Sequence, residues 1–165
     1  MIYIAIGSNL TGDNNITPLE NCKKAVAIIK KHIIVKKISH WYKSKPIPSS
    51  NQPWFVNGVI EVKTDKSSIN LLDLLLKVEK DLGRVRNKKN EARIIDLDII
   101  DYKKKIFYKK NRLIIPHPRM HERAFVLLPM RDLNPKWYHP IKKKSLNALI
   151  KKIKNKQKIF KIIKN

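Results

Sequence analysis

An apolar run that contains two aspartates, residues 94–100, constrains the fold of this chain more than any other segment. Side chains two residues apart on a strand point to the same face, so Asp96 and Asp98 project together while the apolar residues beside them face the opposite way. The run therefore predicts a strand with one face in the core. Two neighbouring carboxylates repel each other and do not both stay ionised unless a cation lies between them.

Arginines cluster around this strand in the sequence. All seven fall in one window, at Arg84, Arg86, Arg93, Arg112, Arg119, Arg123 and Arg131. The planar guanidinium group binds phosphate oxygens two at a time, and oxygen ligands without a neighbouring His or Cys favour Mg²⁺. The combination predicts a site in which Asp96, Asp98 and Mg²⁺ hold a polyphosphate. The alternative is that the aspartates pair with arginines, or lie at an exposed strand end, without a metal.

The order of the predicted elements indicates the fold class. Hydrophobic spacing and turn residues predict strands at 2–6, 33–42, 54–62, 94–102, 106–108 and 113–115, and helices at 19–31, 70–82, 120–131 and 146–153. The first six elements form strand–helix–strand–strand–helix–strand, the split βαβ pattern of the ferredoxin-like fold. We expect an α+β fold with a mostly antiparallel sheet, helices packed mainly on one face, and extra C-terminal elements.

The length of 165 residues predicts one domain, residues 1–165, with a basic tail at about 154–165 that extends into solvent. The single cysteine, Cys22, provides no disulfide framework and fits a helix face where a small buried side chain is expected. The N-terminus lacks the features of a signal peptide, and no apolar run is long enough to span a bilayer. We therefore expect a cytoplasmic protein.

The formal net charge of +24 has two explanations. A chain-wide lysine bias would produce it without any dedicated surface, and the diffuse distribution of the lysines favours this explanation. A basic RNA-binding domain is the rival class of protein, because ferredoxin-like sheets often bind RNA through exposed aromatic side chains on the central strands. The aromatic residues of the predicted strands do not have that spacing.

Two phosphate-binding motifs, the P-loop and the glycine-rich dinucleotide fingerprint, are absent from the sequence. If the chain binds ATP, it binds it with side chains. His117 lies between two prolines, which constrain its backbone. It is either a phosphate ligand or an ordinary surface or core histidine.

Four segments together resemble the 6-hydroxymethyl-7,8-dihydropterin pyrophosphokinase family of folate biosynthesis. They are YIAIGSNL at 3–10, NQPWFVN at 51–57, GRVR at 83–86 with RIIDLDI at 93–99, and IPHPRMHERAF at 115–125. The segments occur in the order of the family and span the chain to about residue 135. The resemblance implies a ferredoxin-like α/β fold, two Mg²⁺ ions, and transfer of pyrophosphate from ATP to the pterin hydroxymethyl group with release of AMP.

The resemblance also implies residue roles. The metal ligands would be Asp96 and Asp98, and the catalytic groups would be these two with Arg84 and Arg93. The pterin pocket would contain Gly7, Ser44, Ile47, Phe55, Asn57 and Phe125. The ATP side would contain Glu79, Arg84, Arg86, Arg93, Arg112, His117 and Arg123. The expected partners are these two small-molecule substrates, without a specific nucleic acid or membrane, and the expected state is a monomer.

The chain departs from the family pattern in both of its polar loops, 43–53 and 84–93, which we expect to act as lids. The tryptophan that closes over the pterin in some members has no counterpart in the second loop. In addition, Lys45 stands where proline is common.

Overall fold

A six-stranded antiparallel sheet positions the segments singled out above. The computed structural model describes residues 1–85, 91–153 and 155–163. The strands are β1 (Ile2–Ser8), β2 (Ile34–Ile38), β3 (Tyr42–Ser44), β4 (Phe55–Lys63), β5 (Asp96–Tyr102), β6 (Phe107–Lys109), β7 (Leu113–Ile115) and β8 (Ile159–Lys161). The helices are α1 (Pro18–Lys30), α2 (Ser68–Asp81), α3 (Ala124–Leu133) and α4 (Leu146–Ile153).

The strand order of the sheet is that of a split βαβ fold. The strands lie in the order β5-β1-β4-β3-β8, and β2 also pairs with β4. Every pairing in this sheet is antiparallel among the described residues. β6 and β7 form a separate hairpin. The prediction of an α+β, ferredoxin-like fold with added C-terminal elements is confirmed.

Helices cover both faces of the sheet, so the expectation that they lie mainly on one face is wrong. α1 and α2 pack with Ile2, Ile4 and other apolar side chains of one face. α3 and α4 pack with Tyr3, Val59 and other side chains of the second face. Two covered faces follow from the sequence of the central strands, whose residues are buried at nearly every position. The covered faces also remove the open aromatic surface that the RNA-binding alternative required.

Local signals explain where the first helix begins. The Thr17 hydroxyl accepts a hydrogen bond from the backbone N–H of Glu20, and the Glu20 carboxylate accepts one from the backbone N–H of Thr17. This reciprocal pair satisfies amide groups that have no partner within the helix. Pro18, whose ring presets the helical φ angle, occupies the first turn.

The strand predicted at 33–42 ends early, because β2 stops at Ile38. A separate strand, β3, begins at Tyr42 and continues to Ser44, inside the predicted loop 43–53. Between them, Trp41 packs directly on Gly58 of β4, where an added Cβ atom would lie 2.6 Å from the indole ring. The Ser39 hydroxyl accepts a hydrogen bond from the backbone N–H of Val59. A side chain therefore replaces part of the backbone ladder at the break.

The helix predicted at 120–131 begins later than expected. Residues Met120–Glu122 form a short 3₁₀ turn, Arg123 is extended, and α3 starts at Ala124. The tail was expected to extend into solvent, but its residues 159–161 form β8, which pairs with β3. Pairing becomes possible because β3 would otherwise leave an unsatisfied strand edge. None of the helices in the described part of the chain is both long and apolar enough to cross a membrane.

Candidate active site

Three neighbouring strands bring the predicted site residues to one end of the sheet. Gly7, near the end of β1, lies opposite Asn57 of β4 and also opposite Asp96 of β5. A cavity of about 460 Å³ opens at this point. The predicted residues that line it are Gly7, Ser44, Ile47, Phe55, Asn57, Arg84, Arg93, Asp96, Asp98, His117, Arg123 and Phe125.

The two aspartates of β5 both face this cavity, as the strand period predicts. Leu97 between them is buried in the core with Ile99. Asp96 is held by arginines, because Arg84 Nη1 lies 2.6 Å from its Oδ1 and Arg93 Nε lies 3.4 Å from its Oδ2. The pairing with arginines that was the alternative to a metal site is therefore present at Asp96.

Asp98 lies in a different electrostatic environment from Asp96. The described part of the chain offers its carboxylate no hydrogen bond or salt bridge. Burial, and then the negative charge of Asp96, raise the pKa of Asp98, while the positive charge of Arg123 acts in the opposite direction. The cavity therefore contains a carboxylate whose ionised form would be favoured by an added cation.

Behind this pair, Glu79 of α2 forms the inner end of a buried network. Arg84 Nη1 donates to Glu79 Oε1 over 2.6 Å, and the backbone N–H of Leu97 donates to the same oxygen over 2.7 Å. Burial opposes the charge on Arg84, but Asp96 and Glu79 outweigh burial and raise its pKa. Glu79 does not line the cavity, and its observed contacts hold Arg84 and β5 in place.

Arg93 and Arg123 are two cavity arginines that lie beside aromatic rings. The Arg93 guanidinium lies 5.4 Å from the centre of the Phe55 ring, and its Nε has no hydrogen-bond partner in the described chain. Arg123 lies at the same distance from the Phe125 ring. Burial is the main cause that lowers the pKa of Arg123. Both cations are therefore incompletely compensated, which favours an anion between them.

The cavity lining also carries amide, hydroxyl and aromatic groups. Asn57 Nδ2 donates to Ser44 Oγ over 2.7 Å, and both side chains are buried. A Cβ atom added to Gly7 would lie 3.1 Å from Asn57 Oδ1, so glycine keeps this amide oxygen accessible. Phe55 and Phe125 complete the wall. Such a wall suits a flat, polar-edged ring.

His117 lies in the cavity in a neutral state. Burial, together with the positive charge of Arg123, lowers the pKa of His117 to about 4. Its Nδ1 accepts a hydrogen bond from the backbone N–H of Arg119 over 3.2 Å. The proton of the neutral ring is therefore on Nε2, which is a hydrogen-bond donor.

Besides Glu79, two more predicted residues are not placed at the cavity. Arg112, beside β7, forms a salt bridge with Asp73 of α2 over 2.7 Å, and both side chains are largely exposed. Arg86 lies outside the described residues. The cavity lining also includes Lys45, Glu91 and Arg119, to which the sequence analysis gave no role. Two of these have a signal in the sequence, since Lys45 follows Ser44 and Arg119 belongs to the arginine window.

Asn9 is the main contributor that the sequence analysis missed. It was interpreted only as part of a turn after the first strand, but it is 1% exposed. Its Oδ1 accepts from the backbone N–H of Arg93, and its Nδ2 donates to Gln52 Oε1 and to the carbonyl of Pro53. One amide therefore joins both predicted lid segments to β1.

Comparisons with known proteins find a family model and several relatives that match most of the chain. A model of the 7,8-dihydro-6-hydroxymethylpterin-pyrophosphokinase (HPPK) family matches residues 3–135. The 2-amino-4-hydroxy-6-hydroxymethyldihydropteridine pyrophosphokinase of Haemophilus influenzae is 39% identical over 135 residues, covering 79% of each chain. The Bacillus subtilis protein of the same name is 37% identical over 137 residues, covering 79% of this chain and 76% of its own.

Longer relatives extend the likeness over more of the chain. The folic acid synthesis protein of Pneumocystis carinii is 41% identical over 152 residues, which are 92% of this chain but only 20% of that protein. The Dictyostelium discoideum protein of that name is likewise covered over 20% of its length, so the chain spans about a fifth of these two relatives.

Among solved structures, the HPPK-DHPS protein of Plasmodium falciparum matches with a TM-score of 0.74 at 14% identity, covering 94% of this chain and 46% of that one. This match shows the shared fold. The family model and the two bacterial relatives go further: the chain belongs to the 7,8-dihydro-6-hydroxymethylpterin-pyrophosphokinase family.

Proposed function

We propose that this chain transfers pyrophosphate from ATP to the hydroxymethyl group of 6-hydroxymethyl-7,8-dihydropterin, forming AMP and the pterin diphosphate in folate biosynthesis. Family membership supports the reaction. The observation that carries the proposal is the division of one cavity into a charged wall, with Asp96, Asp98 and Arg93, and a wall with Asn57 and two aromatic rings.

The charged wall is suited to the triphosphate. The buried donor Arg93 Nε and the guanidinium of Arg123 would bind phosphate oxygens, since neither is satisfied by a carboxylate hydrogen bond in the described chain. His117 would donate from Nε2 to a phosphate oxygen. Arg84 is engaged by two carboxylates, so its main contribution would be to hold Asp96 in position.

The acidic pair fits divalent cations. Asp98 has a raised pKa and no partner in the described chain, and a cation is what would make its charge favourable. No cluster of three acidic, His or Cys side chains that could hold a metal occurs among the described residues. Mg²⁺ suits this arrangement because it binds through one or two carboxylates and takes its other ligands from water and phosphate. We therefore propose that Asp96 and Asp98 hold two Mg²⁺ ions with ATP.

The amide wall would hold the pterin. Asn57 would bind the ring edge, and its orientation is fixed by Ser44. Phe55 and Phe125 would contact the ring faces, since aromatic side chains stack favourably with flat ring systems. Ile47 would add apolar contact, and Gly7 leaves the space that the ring edge needs.

In the reaction, the pterin hydroxymethyl oxygen forms a bond to the β-phosphorus of ATP. The bond from that phosphorus to the oxygen shared with the α-phosphate breaks, AMP leaves with this oxygen, and the hydroxyl proton passes to water. Bound Mg²⁺ ions would supply charge neutralisation and polarisation of the phosphate oxygens. The residues of the chain orient the two substrates and stabilise the charge that develops, as is typical of phosphoryl-type transfer.

The location and the oligomeric state of the chain are also part of the proposal. Because the reaction consumes ATP, we place the chain in the cytoplasm. Because the cavity is lined by residues of one chain, we propose that a monomer is sufficient for activity. Arg112 and Arg86 remain assigned to the ATP side on the family pattern alone.

Isotope transfer tests the reaction directly. ATP labelled with radioactive phosphorus at the β or the γ position is mixed with the pterin and Mg²⁺, and the pterin product is separated. Both labels should appear in that product, and AMP should form only when the pterin is present. Transfer of the γ label alone would mean monophosphoryl transfer, and loss of label to free phosphate would mean hydrolysis. Either result would contradict the proposal.

A further inference from the structure

A short C-terminal segment, residues 157–162, contacts the chain at two places beside the cavity. We call it the C-terminal clasp. It lies beyond residue 135, where the match to the family model ends. The clasp contains β8 and begins at Gln157, whose side chain is half-buried beside the start of α3.

Gln157 binds the backbone on both sides of Arg123. Its Nε2 donates to the carbonyl of Glu122 over 2.6 Å, and its Oε1 accepts from the backbone N–H of Ala124 over 2.9 Å. The first N–H groups of a helix have no partner within the helix. The side chain of the N-cap residue, Arg123, accepts no hydrogen bond from them. Gln157 therefore acts as the cap of α3 from a distant part of the chain.

The same segment also contacts the residues around Ser44. The carbonyl of Lys158 accepts a hydrogen bond from the backbone N–H of Lys45 over 3.0 Å. In the sheet, Ile159 lies opposite Ser44, and the ring of Phe160 lies 5.8 Å from the ring of Trp54. Ser44 and Lys45 line the cavity. Lys158 therefore contacts a lining residue, and the adjacent Gln157 contacts the two chain neighbours of another lining residue, Arg123.

The placement of Arg123 depends on this backbone support. In the described part of the chain, the Arg123 side chain forms no salt bridge or hydrogen bond. Its guanidinium group lies over the Phe125 ring. Its position must therefore come mainly from the extended backbone at the start of α3. That backbone is fixed by Gln157 on one side and by the turn at Met120–Glu122 on the other.

We infer that Gln157 is a positioning residue, which fixes Arg123 and Phe125 relative to the Ser44 wall so that ATP and the pterin are bound in register. The inference rests on the proposed function, because its consequences are measured on those two substrates. Gln157 itself need not touch either substrate.

The test compares Gln157→Ala with Asn147→Ala in the full chain. Asn147 is an exposed amide residue on α4, so the control removes the same chemical group away from the cavity. The measured quantities are the KM for each substrate, kcat, and the melting temperature. Loss of the two Gln157 hydrogen bonds should raise the KM for both ATP and the pterin by roughly fivefold, while kcat and the melting temperature change less. Asn147→Ala should match the unaltered chain.

The outcomes separate the inference from the proposed function. If the unaltered chain releases no AMP with both substrates, the proposed function fails. If that chain is active and Gln157→Ala behaves like Asn147→Ala, Gln157 has no positioning role. If Gln157→Ala lowers kcat and the melting temperature with both KM values unchanged, the residue is merely structural, and the inference is overturned.

Discussion

Asp98 is a side chain whose charge opposes folding. Burial and the neighbouring Asp96 raise its pKa. An aspartate with a raised pKa destabilises the folded state at pH values above that pKa, because the ionised form is less favourable there than in the unfolded chain. A position of this kind is typical of a functional group.

Replacing Asp98 with Asn should therefore separate activity from stability. In metal-free protein at mildly alkaline pH, Asp98→Asn should keep or raise the free energy of unfolding, by on the order of 1 kcal/mol. AMP release should be abolished. Denaturant unfolding and an AMP assay measure the two effects. Near-normal turnover would contradict the role of Asp98, and a large loss of stability would contradict its electrostatic description.

Arg84 and Arg112 give a matched comparison. Both form salt bridges, and they differ most in burial among the arginines that do so in the described chain. Arg84 is 7% exposed and joins Glu79 to Asp96, whereas Arg112 is 43% exposed and binds Asp73. Arg84→Met would remove a cation shared by the buried Glu79 and the partly buried Asp96 and should cost about 3 kcal/mol of stability. Arg112→Met should cost less than about 1 kcal/mol.

Denaturant unfolding of both variants checks this difference, and equal losses would contradict it. The same Arg112→Met variant tests the ATP-side assignment of that residue. A raised KM for ATP would support the assignment made from the family pattern, and an unchanged KM would remove Arg112 from the site.

At the residue scale, the sequence indicated which acidic side chains share a face, but it did not indicate which side chains form ion pairs. The same-face projection of Asp96 and Asp98 follows from strand geometry, and it was found. The sequence did not indicate which arginine would pair with which carboxylate. Arg84 and Arg112 are the same residue type in the same window, and only the tertiary structure buries one and exposes the other.

At the scale of elements, Asn9 connects three segments that are distant in the sequence. Its side chain bonds the backbone of Arg93 and the loop at Gln52 and Pro53, and the carbonyl of Arg93 accepts from the backbone N–H groups of Asn9 and Leu10. The end of β1 therefore fixes the bases of both predicted lid segments.

Asn9→Ala should loosen both loops at once. The expected loss of stability is about 2 kcal/mol, because a buried side chain with three hydrogen bonds is removed. The KM for both substrates should rise, since Arg93 and the 52–53 segment are no longer held. Asn147→Ala on α4 is the exposed control. Unchanged KM values would show that the loops are positioned without Asn9.

Element boundaries were predictable where local signals decide them. The Thr17 cap and Pro18 fix the start of α1, and Ser67 caps α2 as predicted. The break between β2 and β3 and the late start of α3 were not predictable. They depend on contacts between distant segments, such as Trp41 with Gly58 and Gln157 with Ala124.

At the scale of the whole molecule, two buried histidines make stability depend on pH. Burial lowers the pKa of both His117 and His139 from 6.5 to about 4. The unfolded chain therefore binds more protons than the folded chain between these values. The histidine contribution to stability therefore rises with pH across this window, and it is lost as the pH falls from 6.5 towards 4. The raised pKa values of Asp98 and Asp101 act in the opposite direction.

A variant comparison isolates the histidine contribution. His139 Nδ1 accepts from the backbone N–H groups of Ile141 and Lys142, and His139→Gln keeps an acceptor but removes the titrating ring. The melting temperature of the variant should fall less steeply between pH 6.5 and 4 than that of the unaltered chain. Identical slopes would contradict a buried, neutral His139.

The order of strands and helices was predictable from the sequence, but the presence of a helical layer on each face of the sheet was not. The order of strands and helices indicated the split βαβ arrangement, and it was found. The second helical layer was missed because the apolar character of α3 and α4 does not show which face of the sheet they cover. That layer is essential for the site, since α3 brings Phe125 to the cavity and Arg123 immediately precedes it.

The most direct test of the account is whether ATP binding requires both Mg²⁺ and the acidic pair. An ATP analogue with a methylene group between the α- and β-phosphorus atoms resists cleavage and can be titrated by calorimetry. The unaltered chain should bind it tightly with Mg²⁺ and weakly when Mg²⁺ is removed by a chelator, and Asp98→Asn should show no such dependence. Equal binding with and without Mg²⁺ in the unaltered chain would contradict the account.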